Sequence, residues 1–353
     1  MGLDHMSVKK HALSRLRIAL LLTGLGLLTL TGCNRTTPLI PEATHTAATD
    51  SLRWQSPLLQ EHPLTGRIFS THSQQEISQR TLLAQLEPHR LLLLGEKHDN
   101  PDHHQIEALL LRRLLNANSS VVFEMLDDQH NTALTTVNGS DSLETLHRQL
   151  NWRDKGWNWP AYGPLIQLSL QQQAQVLPGN VSKPLLQTIY RTGTTSLSDA
   201  SYQHRFATVN AANTTIRQQI QQLVYDSHCQ MMPLEQMAPM VDIQLARDAS
   251  MAHAMTANLA ARERVILLAG GVHTRKDLGV PLHLQALATE AATTEARPAV
   301  VLLVEVEAQA LHLTDYPHSA ATIADYVWFT PKFTARDYCD DLKPRTRNLE
   351  PRT

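Results

Sequence analysis

Residues 90–115, RLLLLGEKHDNPDHHQIEALLLRRLL, decide the fold. Their four consecutive leucines stop at Gly95, which is typical of a strand that is buried on both faces and ends in a tight turn. Asn100 suits a helix cap and Pro101 a first helical position, so a helix is predicted over 101–115. Ligands of open α/β sheets bind at the carboxyl ends of such strands. The turn after Gly95 is therefore the first place to expect a functional site.

Other apolar runs predict the remaining strands, and two of them, SVVFEM and VILLA, are interpreted as buried strands like the first. Sheets whose strands are apolar on both faces are parallel and covered by helices. A strand, helix, strand series forms a right-handed parallel unit, so Glu96 and Glu124 are expected to lie side by side at two strand ends. The further strands are predicted at 67–70, 120–125, 175–180, 265–269, 299–306 and 325–329.

These elements predict an α/β fold with a mostly parallel sheet flanked by helices and a smaller inserted helical subdomain. The insertion is inferred because residues 181–235 are helical and polar, while apolar strands both precede and follow them. The expected divisions are a signal peptide at 1–32, a tether at 33–62, the first α/β part at 63–150, the mostly helical insertion at 151–235 and the second α/β part at 236–345.

The N-terminus has the layout of a secretory signal. Four basic residues precede the apolar segment 18–30, which is too short to span a bilayer comfortably. The sequence Leu30-Thr31-Gly32-Cys33 resembles a bacterial lipobox, in which Cys33 would carry the lipid and begin the mature protein. Asn34, rather than aspartate, favours lipid anchoring at the outer membrane of the bacterial envelope. An uncleaved N-terminal membrane anchor is the alternative.

Net charge and cysteine content indicate which partners and which disulfide to expect. Removal of residues 1–32, which carry four basic residues and one acidic residue, takes the net charge from −2 to about −5. This balance gives no indication of a nucleic-acid partner. Cys229 and Cys339 would be the remaining cysteines in an oxidising compartment, so a disulfide between them is predicted, with two buried free thiols as the alternative.

Two segments share the pattern of an apolar strand, a glycine, two residues and a histidine: LGEKH, which ends at His98, and AGGVH, which ends at His273. A glycine at the strand exit allows a sharp turn or a positive φ. With Glu96 and Glu124, these histidines would form a nitrogen and oxygen ligand set suited to zinc, iron or manganese. In the alternative interpretation, both histidines cap the sheet through hydrogen bonds to the backbone.

A long helical stretch, 231–259, is predicted after Pro233, with a bend at Pro239. Gln244 and Asp248 lie on an apolar stripe of this helix, so we expect them to face a site or to satisfy polar neighbours.

Five motifs together resemble the ChaN family of haem-binding lipoproteins, which belongs to the wider group that includes the Tiki proteases. The motifs are GEKHDNPDHH from Gly95, VVFEM from Val121, the His228-Cys229 pair, QxxRDxxMA from Gln244 and GGVHxxxxxGVP from Gly270. The likeness extends over about residues 65–340. It implies a membrane-anchored protein of haem and iron acquisition, and a homodimer that holds haems between its subunits.

The resemblance also implies a tyrosine on the haem iron, with histidine and lysine near the propionates. The haem-binding candidates are Lys97, His103, His104, Tyr202 and Tyr225. No Cys-x-x-Cys-His motif occurs, so haem would be held without covalent attachment.

The wider group's metal motif corresponds to His98, Glu124 and His273, which would act as ligands of a divalent ion, a further candidate cofactor. Glu96 would be a fourth ligand or a catalytic general base. Two functions therefore compete: a haem-binding lipoprotein, and a metal-dependent hydrolase or peptidase. A lipoprotein scaffold with a degenerate site is a third possibility.

Overall fold

The computed structural model describes residues 52–290 and 297–341 of the chain. The predicted signal peptide, the lipidation site Cys33 and most of the predicted tether lie outside the described residues. Among the described residues, no helix combines the length and the apolar character that crossing a bilayer requires.

Eight strands form one sheet. In chain order they are β1 (Ile68–Ser70), β2 (Gln75–Ile77), β3 (Leu91–Glu96), β4 (Ser119–Asp127), β5 (Gln175–Asn180), β6 (Arg264–Gly270), β7 (Ala299–Glu305) and β8 (Tyr326–Thr330). Their spatial order is β2-β1-β8-β7-β3-β6-β4-β5. The six strands from β8 to β5 pair in parallel, and β1 joins β8 and β2 antiparallel at one edge. The predicted mostly parallel α/β sheet is confirmed.

Helices surround this sheet. In chain order they are α1 (Gln79–Leu86), α2 (Pro101–Leu114), α3 (Asn131–Leu134), α4 (Leu143–Gln149), α5 (Trp159–Gln171), α6 (Lys183–Thr192), α7 (Ala200–Arg205), α8 (Thr214–Ser227), α9 (Ala238–Leu259), α10 (Gly271–Thr274) and α11 (Val280–Glu290). The helix predicted over 231–259 begins only at Ala238, and Pro239 lies in its first turn, where the missing N–H costs no intrahelical bond.

Alternate residues of the central strands enter two different cores. In β3, Leu92 and Leu94 pack into the core that α2 and α5 cover, whereas Leu91 and Leu93 pack into the core beneath α9 and α11. This arrangement explains why the strand reads as an unbroken apolar run, because neither face meets water.

A third core belongs to the helical part of the chain. Residues between Val181 and Ala249 build it, and Leu278 packs into it. The predicted insertion, 151–235, also contains β5, which pairs with β4 as an edge strand of the sheet. The purely helical portion therefore starts only after Asn180.

The predicted tether ends earlier than residue 62. The backbone amides of Gln55 and Ser56 donate to the Asp102 carboxylate at 2.7 and 3.0 Å, and Ser56 is fully buried. Leu58 forms an antiparallel bridge with Lys332. Residues from Leu52 onward are thus docked on α2, and the composition of the segment misled the prediction because its anchoring is made by backbone amides.

The prediction that the strands carrying Glu96 and Glu124 are neighbours was wrong, as the order of the sheet shows. β6 lies between β3 and β4, so the ends that carry Glu96 and Glu124 are two strand spacings apart, roughly 10 Å. Connection order along the chain does not fix spatial order when a later strand inserts between two earlier ones. The inserted strand is the one that leads to His273.

Candidate functional site

Three adjacent strand ends carry the candidate metal cluster. His98 follows β3, His273 follows β6, and Glu124 lies in β4. The Nε2 atoms of His98 and His273 lie 3.8 and 3.4 Å from the two carboxylate oxygens of Glu124. The structure therefore brings together the three residues that the sequence placed at one rim of the sheet.

A carboxylate holds the other ring nitrogen of each histidine. His98 Nδ1 lies 2.9 Å from Glu96 Oε1, and His273 Nδ1 lies 2.5 Å from Asp248 Oδ1. Histidines that bind metals usually donate their second N–H to such a partner, which fixes the tautomer and leaves Nε2 for the metal. The donor types of His98, Glu124 and His273, two imidazoles and one carboxylate, are thus those that bind divalent transition ions. These contacts with carboxylates also argue against a backbone cap.

Helix α9 supplies the residues behind His273. Besides Asp248, Gln244 reaches the ring, with its Nε2 atom 3.1 Å from His273 Nδ1. Met251 and Met255 from the same stripe are buried in the core beneath the sheet. The two polar residues of the stripe therefore contact the site, and its methionines fill the interior.

Gly270 is required by close approach at the site. A Cβ atom at this position would lie 2.8 Å from His98 Nε2 and 3.6 Å from Glu124 Oε2. The backbone amide of Gly270 also donates to Glu124 Oε2 at 2.8 Å. Its φ is −56°, so the motif needs glycine for the missing side chain, and the positive φ considered from the sequence does not occur here.

The cluster is a network of buried opposite charges. Burial alone would lower the pKa of His273, but Glu124 and Asp248 outweigh it and raise that pKa to about 10. Burial alone would raise the pKa of Glu124, and His273 then lowers it to about 2. Burial alone would also raise the pKa of Glu96, but His104 and His98 outweigh this effect and hold that pKa well below its usual range. Without a metal, the rim is therefore a set of ion pairs.

A cavity of about 740 Å³ opens beside the cluster. Its walls come from the β3–α2 turn, from α2, from α5 and the tryptophan segment before it, and from Phe333 near the C-terminus. The lining residues are Gln55, His98, Asp99, Pro101, His104, Gln105, Ala108, Gly156, Trp157, Asn158, Pro160, Ala161, Tyr162, Pro164, Leu165 and Phe333. Its size and its mix of aromatic and imidazole groups suit an organic ligand.

Sequence reasoning assigned no role to Tyr162 or Trp157, both of which contact the site. The Tyr162 hydroxyl donates to Glu96 Oε1 at 2.8 Å, and the Trp157 ring packs edge-on against His98 at 4.8 Å. Burial and the neighbouring Glu96 raise the pKa of Tyr162 far above its usual range. The cluster of three tryptophans before Tyr162-Gly163-Pro164 was visible in the sequence, but nothing local indicates that it packs on the β3 turn.

Lys97 in the β3–α2 turn and His103 and His104 in the first turn of α2, three of the haem candidates, are placed differently. The Lys97 ammonium pairs with Glu305 at 2.9 Å and is partly exposed. His104 lines the cavity, with Nε2 2.9 Å from Glu96 Oε2. His103 is fully buried. Its Nδ1 atom accepts a hydrogen bond from the Lys97 amide, and its Nε2 atom is hydrogen-bonded to the Thr330 hydroxyl.

The prediction of His103 as a haem contact was therefore wrong. Neighbouring residues of a helix point about 100° apart, so His103 turns inward where His104 reaches the cavity. Burial lowers the pKa of His103 to about 3, which keeps its ring neutral.

Tyr202 and Tyr225, the tyrosine candidates, pack half-buried against the helical core and do not line the cavity. Tyr202 stacks on Phe206, with ring centroids 6.3 Å apart. A different tyrosine lies near the cavity. Tyr338 is 47% exposed, its hydroxyl donates to the lining residue Asp99, and the Lys97 ammonium lies 5.9 Å from its ring centroid.

The structure joins Cys229 and Cys339 as a disulfide across 110 residues. The bond connects the end of α8 with the C-terminal segment that carries Tyr338.

Comparison with known proteins agrees with this architecture. Residues 82–284 match the family described as haem-binding uptake, Tiki superfamily, ChaN. Among solved structures, cofacial haem-bound ChaN of Campylobacter jejuni is similar over 74% of this chain and 95% of that one, with 24% identity and a TM-score of 0.57. That likeness shows the fold.

Two further solved structures match more distantly. The type III effector HopBA1 has 12% identity over 80% of this chain and 99% of its own, with a TM-score of 0.35. A mutant of erythromycin esterase EreC in its open conformation has 10% identity over 77% of this chain and 99% of its own, with a TM-score of 0.41. No curated protein matches the sequence.

Proposed function

Because the chain belongs to the ChaN family of haem-binding uptake proteins in the Tiki superfamily, we propose that it binds haem, without covalent attachment, in the cavity beside the strand ends. The observation that carries this proposal is the cavity itself, about 740 Å³ in volume and walled by Trp157, Tyr162 and Phe333 together with two imidazoles. Aromatic walls stack on a flat macrocycle. The Lys97 ammonium, next to the lining residue His98, supplies positive charge for a propionate.

Tyr338 is the tyrosine that we assign to the iron. A phenolate ligand favours ferric haem. Tyr162 is unsuited, because its hydroxyl is buried and committed to Glu96. Tyr338 is exposed and is hydrogen-bonded to Asp99, which lines the cavity. That hydrogen bond, together with burial, raises the pKa of Tyr338 to about 12, so ligation must displace its proton.

Titration of the full chain with ferric haem tests both statements. The wild-type protein should develop a Soret band that saturates, and Tyr338→Phe should shift that band and weaken binding. Tyr190→Phe is the matched control, since Tyr190 is equally exposed, at 45%, but belongs to α6. If Tyr202→Phe or Tyr225→Phe shifts the band and Tyr338→Phe does not, haem binds at the helical part and the cavity assignment is wrong.

We further propose that Cys33 anchors the protein by lipid to the outer membrane, where it serves haem and iron acquisition as a homodimer. The support is the basic and apolar pattern before Cys33. Metabolic labelling with a fatty acid should mark the wild-type chain and not Cys33→Ser. Sedimentation with and without haem tests the dimer, which a strictly monomeric haem complex would exclude.

A metal-dependent hydrolase is the second candidate, favoured by one observation. The Nδ1 atoms of His98 and His273 are held by carboxylates while their Nε2 atoms approach Glu124. A divalent ion bound there would supply Lewis-acid chemistry. In this function His273→Ala abolishes hydrolysis of peptide or ester substrates and leaves the Soret band intact. Absence of hydrolysis by wild-type protein supplied with Zn²⁺, Mn²⁺ or Fe²⁺ would remove this candidate.

A further inference from the structure

A second group of metal-capable side chains lies where the end of β3 meets helix α2. Glu96, His104 and Glu107 each place one nitrogen or oxygen within 4.8 Å of the others. Glu96 ends β3, whereas His104 and Glu107 are three residues apart on α2 and so share one face of that helix. A histidine and a glutamate at this spacing supply metal ligands from a helix in several carboxylate-rich metal proteins. Strand and helix thus converge on one point.

Glu107 has no evident structural partner. It is fully buried, and neither of its carboxylate oxygens has a hydrogen-bond partner among the described residues. Nε2 of His104 and Oε2 of Glu96 lie 2.9 Å apart, but their alignment is not that of a hydrogen bond. A buried carboxylate without a partner is costly and calls for an explanation, for which a bound cation is one of the few available.

We propose that Glu96, His104 and Glu107 form a second cation site, the inner site, which takes Zn²⁺ or a similar divalent transition ion. It is separate from the rim cluster of His98, Glu124 and His273. One imidazole and two carboxylates match the preferences of such ions, whereas Ca²⁺ and Mg²⁺ favour oxygen ligands alone. Two ionised carboxylates and a neutral histidine also balance the two positive charges of the ion.

The three residues lie beside the cavity and are connected to the rim. His104 lines the cavity together with Tyr162, whereas the ligand atoms themselves are buried behind this wall. The second oxygen of Glu96, Oε1, accepts hydrogen bonds from Tyr162 at 2.8 Å and from His98 at 2.9 Å. Glu96 therefore lies between the inner site and the rim cluster, and an ion bound to Oε2 would fix the carboxylate that orients His98.

Zinc binding by the full, haem-free chain tests the proposal. Metal-stripped wild-type protein and Glu107→Gln are titrated with Zn²⁺ by calorimetry, and bound zinc is counted by mass spectrometry. We expect Glu107→Gln to bind one equivalent less than the wild type, or to bind that equivalent at least tenfold more weakly. Glu144→Gln, on the exposed surface of α4, is the matched control and should bind as the wild type does.

Two further measurements separate the inner site from the rim and from a folding defect. In a His273→Gln background the equivalent that depends on Glu107 should persist, because His273 takes no part in the inner site. Zn²⁺ should raise the melting temperature of the wild type by more than that of Glu107→Gln, whose zinc-free melting temperature should not fall. Should Glu107→Gln fail to fold, His104→Gln is titrated instead. Equal zinc stoichiometry and affinity in the wild type and the folded variant would overturn the proposal.

Discussion

At the scale of single residues, His273 shows how the rim is organised by charge. Its ring lies between two buried carboxylates, Glu124 on Nε2 and Asp248 on Nδ1. Burial without such partners would lower the pKa of an imidazole and leave the ring neutral. The two anions instead raise the pKa of His273 to about 10. Asp248 has its own pKa raised, to about 6, because its burial outweighs the attraction of His273. This geometry therefore supports a protonated, positively charged His273 ring.

Asp248→Asn should therefore lower the pKa of His273 in the metal-free protein by about 1–3, since one of its two anions is removed. The change is measurable by NMR titration of the His273 ring resonances between neutral and alkaline pH.

Asp242→Asn provides the control for this titration. Asp242 lies on the same helix but pairs with Arg217 at 2.9 Å, away from the rim. An unchanged pKa of His273 in Asp248→Asn would mean that Glu124 alone sustains the charge.

At the scale of elements, α2 is fixed at its first turn by an unusually connected cap. The Asn100 side chain accepts hydrogen bonds from the amides of Asp102 and His103, as the sequence predicts for a cap. Its amide nitrogen also donates to Glu305 at 2.8 Å and to the carbonyl oxygen of Pro331 at 3.1 Å. The residue is fully buried. One side chain thus joins the helix that carries His104 and Glu107 to the end of β7.

Asn100→Ala should lower the free energy of unfolding by about 2–4 kcal/mol, because it removes a cap and leaves buried polar groups unsatisfied. Urea unfolding measures the loss. Ser78→Ala removes the exposed cap of α1, which accepts only from Thr81, and should cost about 1 kcal/mol. Equal losses in the two variants would show that the buried contacts of Asn100 contribute nothing.

At the scale of the whole molecule, the disulfide connects two distant parts of the chain. Cys229 and Cys339 are 110 residues apart, and the intervening residues include α9 and three strands of the sheet. A crosslink over such a loop restricts the unfolded chain strongly. It also holds the segment of Tyr338 next to the helical part.

The double variant Cys229→Ser with Cys339→Ser should lower the free energy of unfolding by about 2–5 kcal/mol. Chemical denaturation under oxidising conditions checks this value. A reducing agent should destabilise the wild type to the same extent and leave the double variant unchanged. If reduction does not alter the wild type, the two cysteines are free thiols in the isolated protein.

The sequence alone determined the strands and their class. The apolar runs that end in glycine form strands buried on both faces, β3 and β6, and both lie where the local pattern placed them, to within a residue. The edge strand β5 also lies at its predicted residues. The same local logic identified Asn100 as a cap and put His98, Glu124 and His273 at strand ends.

Only the tertiary structure decided which of those ends are neighbours and what surrounds them. β6 enters between β3 and β4 from more than 130 residues away in the chain, and α5 brings Tyr162 onto Glu96. His103 and His104 look alike in sequence, but helix rotation buries one and turns the other to the cavity. Contacts between residues far apart in the chain depend on how the elements pack, and local pattern carries no record of that packing.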